Sequence, residues 1–170
     1  MAVIKDIEEL STDIKTAATP YWDTYRFGYL GEVNNYHNND YPLMLLLPPR
    51  SSFDDPYKND EEFILEFHLY KPSEELLSET TGNLQLGQNQ TVMLERTFDD
   101  LLSRFKETME DLYQNYEHKY INAGGWEIER LSQQHADRLV SLVVTIRLRK
   151  FSFCLQTSEN TDVVVGGGGD

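Results

Sequence analysis

The chain is expected to fold as an α+β domain, an antiparallel or mixed β-sheet with an N-terminal helix and one long helix packed on one face. Three observations point there. Two segments carry a single apolar stripe at helical spacing, several others alternate with a period of two, and the order along the chain is helix, strands, helix, strands. The 170 residues suit one domain, since domains cluster around ~100–150 residues. Residues 1–155 read as the folded unit, with 156–170 as a flexible tail or partner-binding arm.

Val3, Ile7, Leu10 and Ile14 recur every three or four positions among acids and lysines, which predicts a helix over residues 2–18. Pro20 ends it, because proline lacks a donor and restricts the residue before it. Residues 24–33 alternate, with Tyr25, Phe27 and Tyr29 on one side, and predict a strand. Leu43 to Leu47 is a short apolar run closed by Pro48 and Pro49, the pattern of a central strand. After a polar loop over 50–61, Phe63, Leu65, Phe67 and Leu69 face one way, while Glu66 and His68 lie opposite. This predicts a strand with one wet face.

A second polar segment, 71–90, precedes a short strand expected over Thr91 to Arg96. Thr97, followed three residues later by Asp100, has the spacing of a helix start. The stripe Phe98, Leu101, Leu102, Phe105, Met109, Leu112 and Tyr116 carries that helix to about Ile121, where Gly124 and Gly125 should stop it. Trp126 to Ser132 and Leu139 to Leu155 read as a hairpin turned by Gln133 to Arg138. Val140, Leu142, Val144, Ile146 and Leu148 give its second strand a dry face, and Ser141, Thr145, Arg147 and Arg149 decorate the other. Thr157 to Asp170, ending in valines and four glycines, lacks the apolar periodicity needed to pack on itself.

The pattern holds no recognisable reaction centre, so no enzyme and no cofactor are expected. There is no Gly-x-Ser-x-Gly elbow and no glycine-rich phosphate loop. Cys154 is the single cysteine and lies among Phe151, Phe153 and Leu155, where it reads as a small buried residue. With no internal partner it favours a reducing compartment. His37, His68, His118 and His135 stand apart, without metal-ligand spacing. The acid pairs Asp54-Asp55, Glu61-Glu62, Glu74-Glu75 and Asp99-Asp100 do not follow a calcium loop. The start Met-Ala-Val-Ile-Lys-Asp lacks the pattern of a signal peptide, and the longest apolar run falls far below the ~20 residues of a membrane helix.

Charge narrows the partners. Fifteen basic residues against 29 acidic ones leave a net charge of −14, which repels phosphate and argues against sequence-specific nucleic-acid binding. Three uses of such a surface remain: solubility, an acidic mimic of DNA that inhibits a host DNA-binding enzyme, or a wall past which DNA slides without sticking. Aromatic residues suggest where partners would meet the chain. Tyr21 and Trp22 cluster with Tyr25 after the first helix, and Tyr36 and Tyr41 sit among asparagines. Phe53 and Tyr57 lie in the first polar loop, and Tyr120 continues the aromatic run of Tyr113 and Tyr116. Tyrosine and tryptophan bury large area at low entropy cost and favour interfaces, although the same residues can edge a core.

Taken in order, an amphipathic first helix leads to the strand Tyr41-Pro42-Leu43-Met44-Leu45-Leu46-Leu47. A loop, an alternating strand and a long helix follow, then a Trp-containing hairpin with His135-Ala136-Asp137-Arg138-Leu139 opening its last strand. Over residues 1–155 this resembles the small tail-terminator and tail-completion proteins at the neck of tailed bacteriophages. The resemblance implies a structural virion protein assembled in the host cytoplasm. It also implies a homo-oligomeric ring, a hexamer or dodecamer, between the head-side connector and the tail, with DNA passing through its channel. In that setting the acidic surface would let DNA slide. Segments 50–61 and 71–90 and the glycine-ended tail would be inter-subunit arms. The long 71–90 segment and the tail depart from the family pattern, and the family offers no catalytic residue to carry over.

Overall fold

The computed structural model describes residues 2–31, 40–52, 61–72, 88–117, 119–132 and 139–150. Helix α1 (Ala2–Ala18) leads into β1 (Thr24–Phe27), β2 (Leu43–Leu46), β3 (Arg50–Ser52) and β4 (Glu61–Pro72). Helix α2 (Gln88–Asn115) then precedes β5 (Tyr120–Asn122), β6 (Glu127–Ser132) and β7 (Leu139–Lys150). Among the described residues the strands form one seven-stranded mixed sheet in the order β1-β2-β4-β7-β5. β3 continues the β2 side of β4, and β6 lies beside β7 on the β5 side.

Periodicity explains which face became the core. Phe63, Leu65, Phe67 and Leu69 of β4 lie across from Leu148, Ile146, Val144 and Leu142 of β7. Met44 and Leu46 of β2 add to the same face. Both helices cover it: Leu10, Ile14, Ala17 and Ala18 from α1, with Phe98, Leu101, Phe105, Met109 and Leu112 from α2, complete one buried cluster. The α+β class with both helices on one face is thus the observed architecture. The β6–β7 hairpin is antiparallel as the alternation predicts, with Ser132 across from Val140.

Several details differ from the sequence reading. The face of β4 opposite the helices is not wet. Glu62, His68 and Tyr70 are buried there with Ser141 and Val143 of β7, and Tyr41, Leu43, Leu45, Tyr70 and Leu139 form a second small apolar cluster. Alternation reports which side chains share a face but not what lies over it. Next, α2 starts at Gln88, so residues 91–96 are helical and Thr97 lies inside the helix, fully buried. Leu94, one turn before Phe98, packs on the same core, and that burial outweighs the capping signature.

The end of α2 also differs, since it stops at Asn115 and Tyr120–Asn122 pair with β7. The Lys119 and Tyr120 amides are satisfied by the Tyr116 carbonyl at 2.8 and 3.2 Å, closing the helix before the glycines. Gly124 and Gly125 instead fall in the link between β5 and β6, where Ala123 N–H donates to the Arg147 carbonyl at 2.8 Å. Finally, the strand expected over 24–33 ends at Phe27. The expected loop 50–61 is also shorter than its composition implies, since Arg50–Ser52 form β3 and Glu61 opens β4, and the segment 71–90 gives its ends to β4 and α2. Residues 53–60 of that loop, residues 73–87 of that segment, the turn 133–138 and everything from Phe151 onward, including Cys154, lie outside the described residues.

A one-residue irregularity shapes the β1 side. Leu46 pairs with Phe67 and Arg50 with Ile64, so Leu47, Pro48 and Pro49 face only Leu65 and Glu66. Proline offers no N–H to a ladder, and the extra residue is taken up as a bulge at that point. The parallel β1–β2 pair sits next to it, and the Tyr41–Pro42 peptide that opens β2 is cis.

Phe105 is the side chain on which the layers converge. Its ring meets Phe67 of β4 edge-on at 5.0 Å and Trp126 at 5.2 Å. Phe105→Ala removes both aromatic contacts and leaves a cavity, and is expected to lower unfolding free energy by about 3–5 kcal/mol in urea titration.

Candidate functional site at the sheet edges

The most polar cluster in the core ties α1 to the far edge of the sheet. Asp13 of α1 is buried and accepts hydrogen bonds from Lys119 Nζ and, at 2.7 Å, from Tyr120 Oη. Lys119 also reaches Glu9 at 2.5 Å and lies over the rings of Tyr116 and Tyr120 at 5.5 and 5.3 Å. Lys150 at the end of β7 approaches Glu9 at 3.5 Å.

The proton affinities follow from these contacts. Burial and the hydrogen bond to Asp13 push the Tyr120 hydroxyl pKa far up. Burial opposes the charge on Lys119, but its bonds to Asp13 and Glu9 outweigh that and raise its pKa. The hydrogen bond from Lys119 holds Glu9 below the ordinary carboxylate range, against a smaller opposing effect of burial. A lysine poised for nucleophilic or base chemistry has a depressed pKa. Lys119 is shifted the other way, so this cluster is built to stay charged and clamp.

A second set of bonds fixes the turn after α1. Tyr21 Oη donates to Asp111 of α2 at 2.7 Å, and Trp22 Nε1 donates to Thr108 Oγ1 at 2.9 Å. Arg104 links the Tyr21 carbonyl at 2.7 Å to Asp100 at 2.9 Å, and Asp100 also binds Lys71 of β4 at 2.9 Å. Burial opposes ionisation of Asp100, but the Lys71 and Arg104 bonds prevail and lower its pKa.

These placements decide what the predicted interface aromatics do within one chain. Trp22, Tyr41 and Tyr120 are buried in the chain's own core, and Tyr21 is half-buried against α2. The structure brings Tyr21 and Trp22 together at the α1–α2 contact. Tyr120 lies at the opposite sheet edge from β1, and Tyr41 belongs to the second face. Tyr36, Phe53 and Tyr57 lie outside the described residues.

The side chains that do face solvent are others. Among the described residues the exposed large apolar side chains are Phe27, Tyr29, Leu30, Ile121 and Ile128, each 41 to 70% accessible. Phe27, Tyr29 and Leu30 sit at the β1 edge, and Ile121 and Ile128 at the β5/β6 edge, so they occupy the two opposite margins of one sheet. Each margin has a cleft beside it. One of about 440 Å³ lies between Tyr29, Leu30, Pro48, Arg50 and Ile64. The other, about 360 Å³, lies between Met109, Glu110, Tyr113, Gln114 and Trp126. Beside it, the Tyr113 hydroxyl and the Trp126 indole N–H are buried without a hydrogen-bond partner among the described residues. Strand alternation hinted at Phe27 in the sequence, but no signal there identified β6 as an edge.

No group of three or more His, Cys, Asp or Glu side chains poised to hold a metal occurs among the described residues, and no described helix is long and apolar enough to cross a membrane. The sites with geometric definition are therefore the two margins.

Removing the clamp has a definite cost. Asp13→Ala leaves Tyr120 Oη and the Lys119 charge without their buried acceptor, and about 3 kcal/mol of stability should be lost in denaturant titration. Stability should also fall at both pH extremes. Glu9 and Asp100 have lowered folded-state pKa values, so their contribution is present above the ordinary carboxylate range and is lost on acidification. Lys119 and Tyr120 have raised values, so theirs is present at neutral pH and is lost as pH climbs past about 10. Denaturant midpoints measured across pH check this. In Asp13→Ala the alkaline limb should flatten. Compared with known proteins, the chain matches no protein-family model and no curated protein.

Proposed function

We propose that the chain is a structural subunit of a homo-oligomeric ring at the neck of a tailed bacteriophage. In this reading it sits between head-side connector and tail, with DNA passing its acidic lumen. The observation that carries the assembly part is the placement of exposed apolar side chains on two different, opposite edges of one sheet. Two unlike patches on opposite sides of a subunit associate head to tail, and head-to-tail contacts close into rings when the rotation permits.

The fold order supports the family part: an N-terminal helix, a Tyr-Pro strand, an alternating strand, a long helix and a Trp-led hairpin. The net charge of −14 suits a channel wall that DNA must leave without delay. A DNA mimic would require acids arrayed in rows like phosphates. Here Glu9, Asp13, Glu62, Glu95 and Asp100 are engaged in ion pairs within the chain.

Native mass spectrometry of the full chain, alone and with connector and tail-tube proteins, tests the reading. A closed oligomer of one stoichiometry that does not retain double-stranded DNA is expected. A strictly monomeric protein under every condition overturns it.

A further inference from the structure

We infer that the occupant of the β1 edge is the β6 edge of a second copy of this chain, paired antiparallel to extend the sheet from subunit to subunit. This deepens the ring reading and rests on it. The argument starts from backbone groups. Thr24 and Gly28 N–H donate inward to the Pro42 and Leu46 carbonyls. Strand alternation therefore turns the peptide groups of Tyr25 and Phe27 outward. No described strand lies beyond β1. On the other margin, Glu127, Ile128, Glu129 and Arg130 of β6 are all exposed, and among the described residues β6 pairs with β7 alone.

Strand direction makes the two edges compatible. β1 is parallel to β2, β2 is antiparallel to β4, β4 to β7, and β7 to β6. It follows that β1 runs opposite to β6. Two copies side by side in the same orientation meet through antiparallel strands, the more stable pairing.

Face and charge select the register. Phe27 pairs with Leu46, and Ile128 with Val144, so both exposed side chains belong to the helix-covered face. Setting Phe27 opposite the neighbour's Ile128 covers the most exposed apolar side chains of the two edge strands with each other. The same register sets Arg26 opposite Glu129 on the second face, where opposite charges across a pair are favourable. A one-residue slip would place the apolar side chains on opposite faces. The antiparallel match also carries Tyr29 and Leu30, just past β1, toward the start of the neighbour's β6. There the cleft between α2 and Trp126 offers an apolar seat for them.

Disulfide trapping in a Cys154→Ser background tests this. Residues opposite each other in an antiparallel pair have Cα atoms ~4.5–5.5 Å apart, within disulfide reach. Phe27→Cys alone and Ile128→Cys alone should not cross-link. Their equimolar mixture should give covalent dimers only, and the double variant should give a ladder up to the closed ring. Ile128→Glu, a surface change that leaves the circular dichroism melt intact, should weaken oligomerisation at least tenfold. Cross-linking of Phe27→Cys with itself would show a two-fold contact and overturn the inference. A native oligomer whose double variant does not cross-link would place the interface elsewhere, overturning the inference while the ring reading stands. Absence of both oligomer and cross-link would remove the two together.

Discussion

Twelve residues of β4 pair with twelve of β7, from Glu61 opposite Lys150 to Pro72 opposite Leu139, and every other part is hung on that ladder. Its length lets one face supply four consecutive apolar pairs, enough to seat two helices side by side. Its outer flanks then accept β2 and β3 on one side and β5 and β6 on the other. The ladder is also why the chain ends its sheet in two unlike margins. An antiparallel centre with a parallel pair added at one end produces edges that differ in direction, exposure and charge.

The polar clusters act as bolts between these layers. Asp13, Lys119 and Tyr120 join the first helix to the β5 margin, and Trp22, Thr108, Arg104 and Asp100 join the α1–β1 turn to α2 and β4. Both bolts include a buried group whose loss would strand a partner, so each resists local opening. Raised Lys119 and Tyr120 pKa values express the same fact in protonation terms, because the folded protein binds those protons more tightly than the unfolded chain. The result is stiffness between helix layer and sheet edge, which the proposed ring would require of a subunit with two fixed margins.

Elements defined by a strong period were legible from residues alone: α1, the β4 alternation and the dry face of β7 all follow from it. The errors arose where tertiary pairing outweighs a local signal. Thr97 and Asp100 have cap spacing, yet Leu94 continues the stripe, Thr97 is buried and Asp100 is held by Lys71 and Arg104. Tyr120 fits the helical stripe, yet a ladder partner on β7 and the Asp13 carboxylate claim it. The candidate site was less legible still. Aromatic richness drew attention to Trp22, Tyr41 and Tyr120, which the chain consumes internally. Exposure of Phe27 and Ile128 depends on which strands lie outermost, and strand order is a property of the whole topology.

An open edge is a hazard in a free subunit, since it offers unpaired backbone groups to any strand. Among the described residues no strand covers either margin, and the chain carries a net charge of −14. Mutual repulsion of like-charged subunits opposes indiscriminate edge pairing, and its reach falls to about 8 Å at physiological ionic strength. Charge therefore slows random association while leaving a close, matched contact available. Repulsion acts between whole molecules, whereas apolar cover and ladder bonds act only in register. The balance favours contacts that satisfy the entire edge at once over partial, slipped ones. Closure into a ring is the arrangement in which every subunit has both margins covered and no edge remains to recruit another chain.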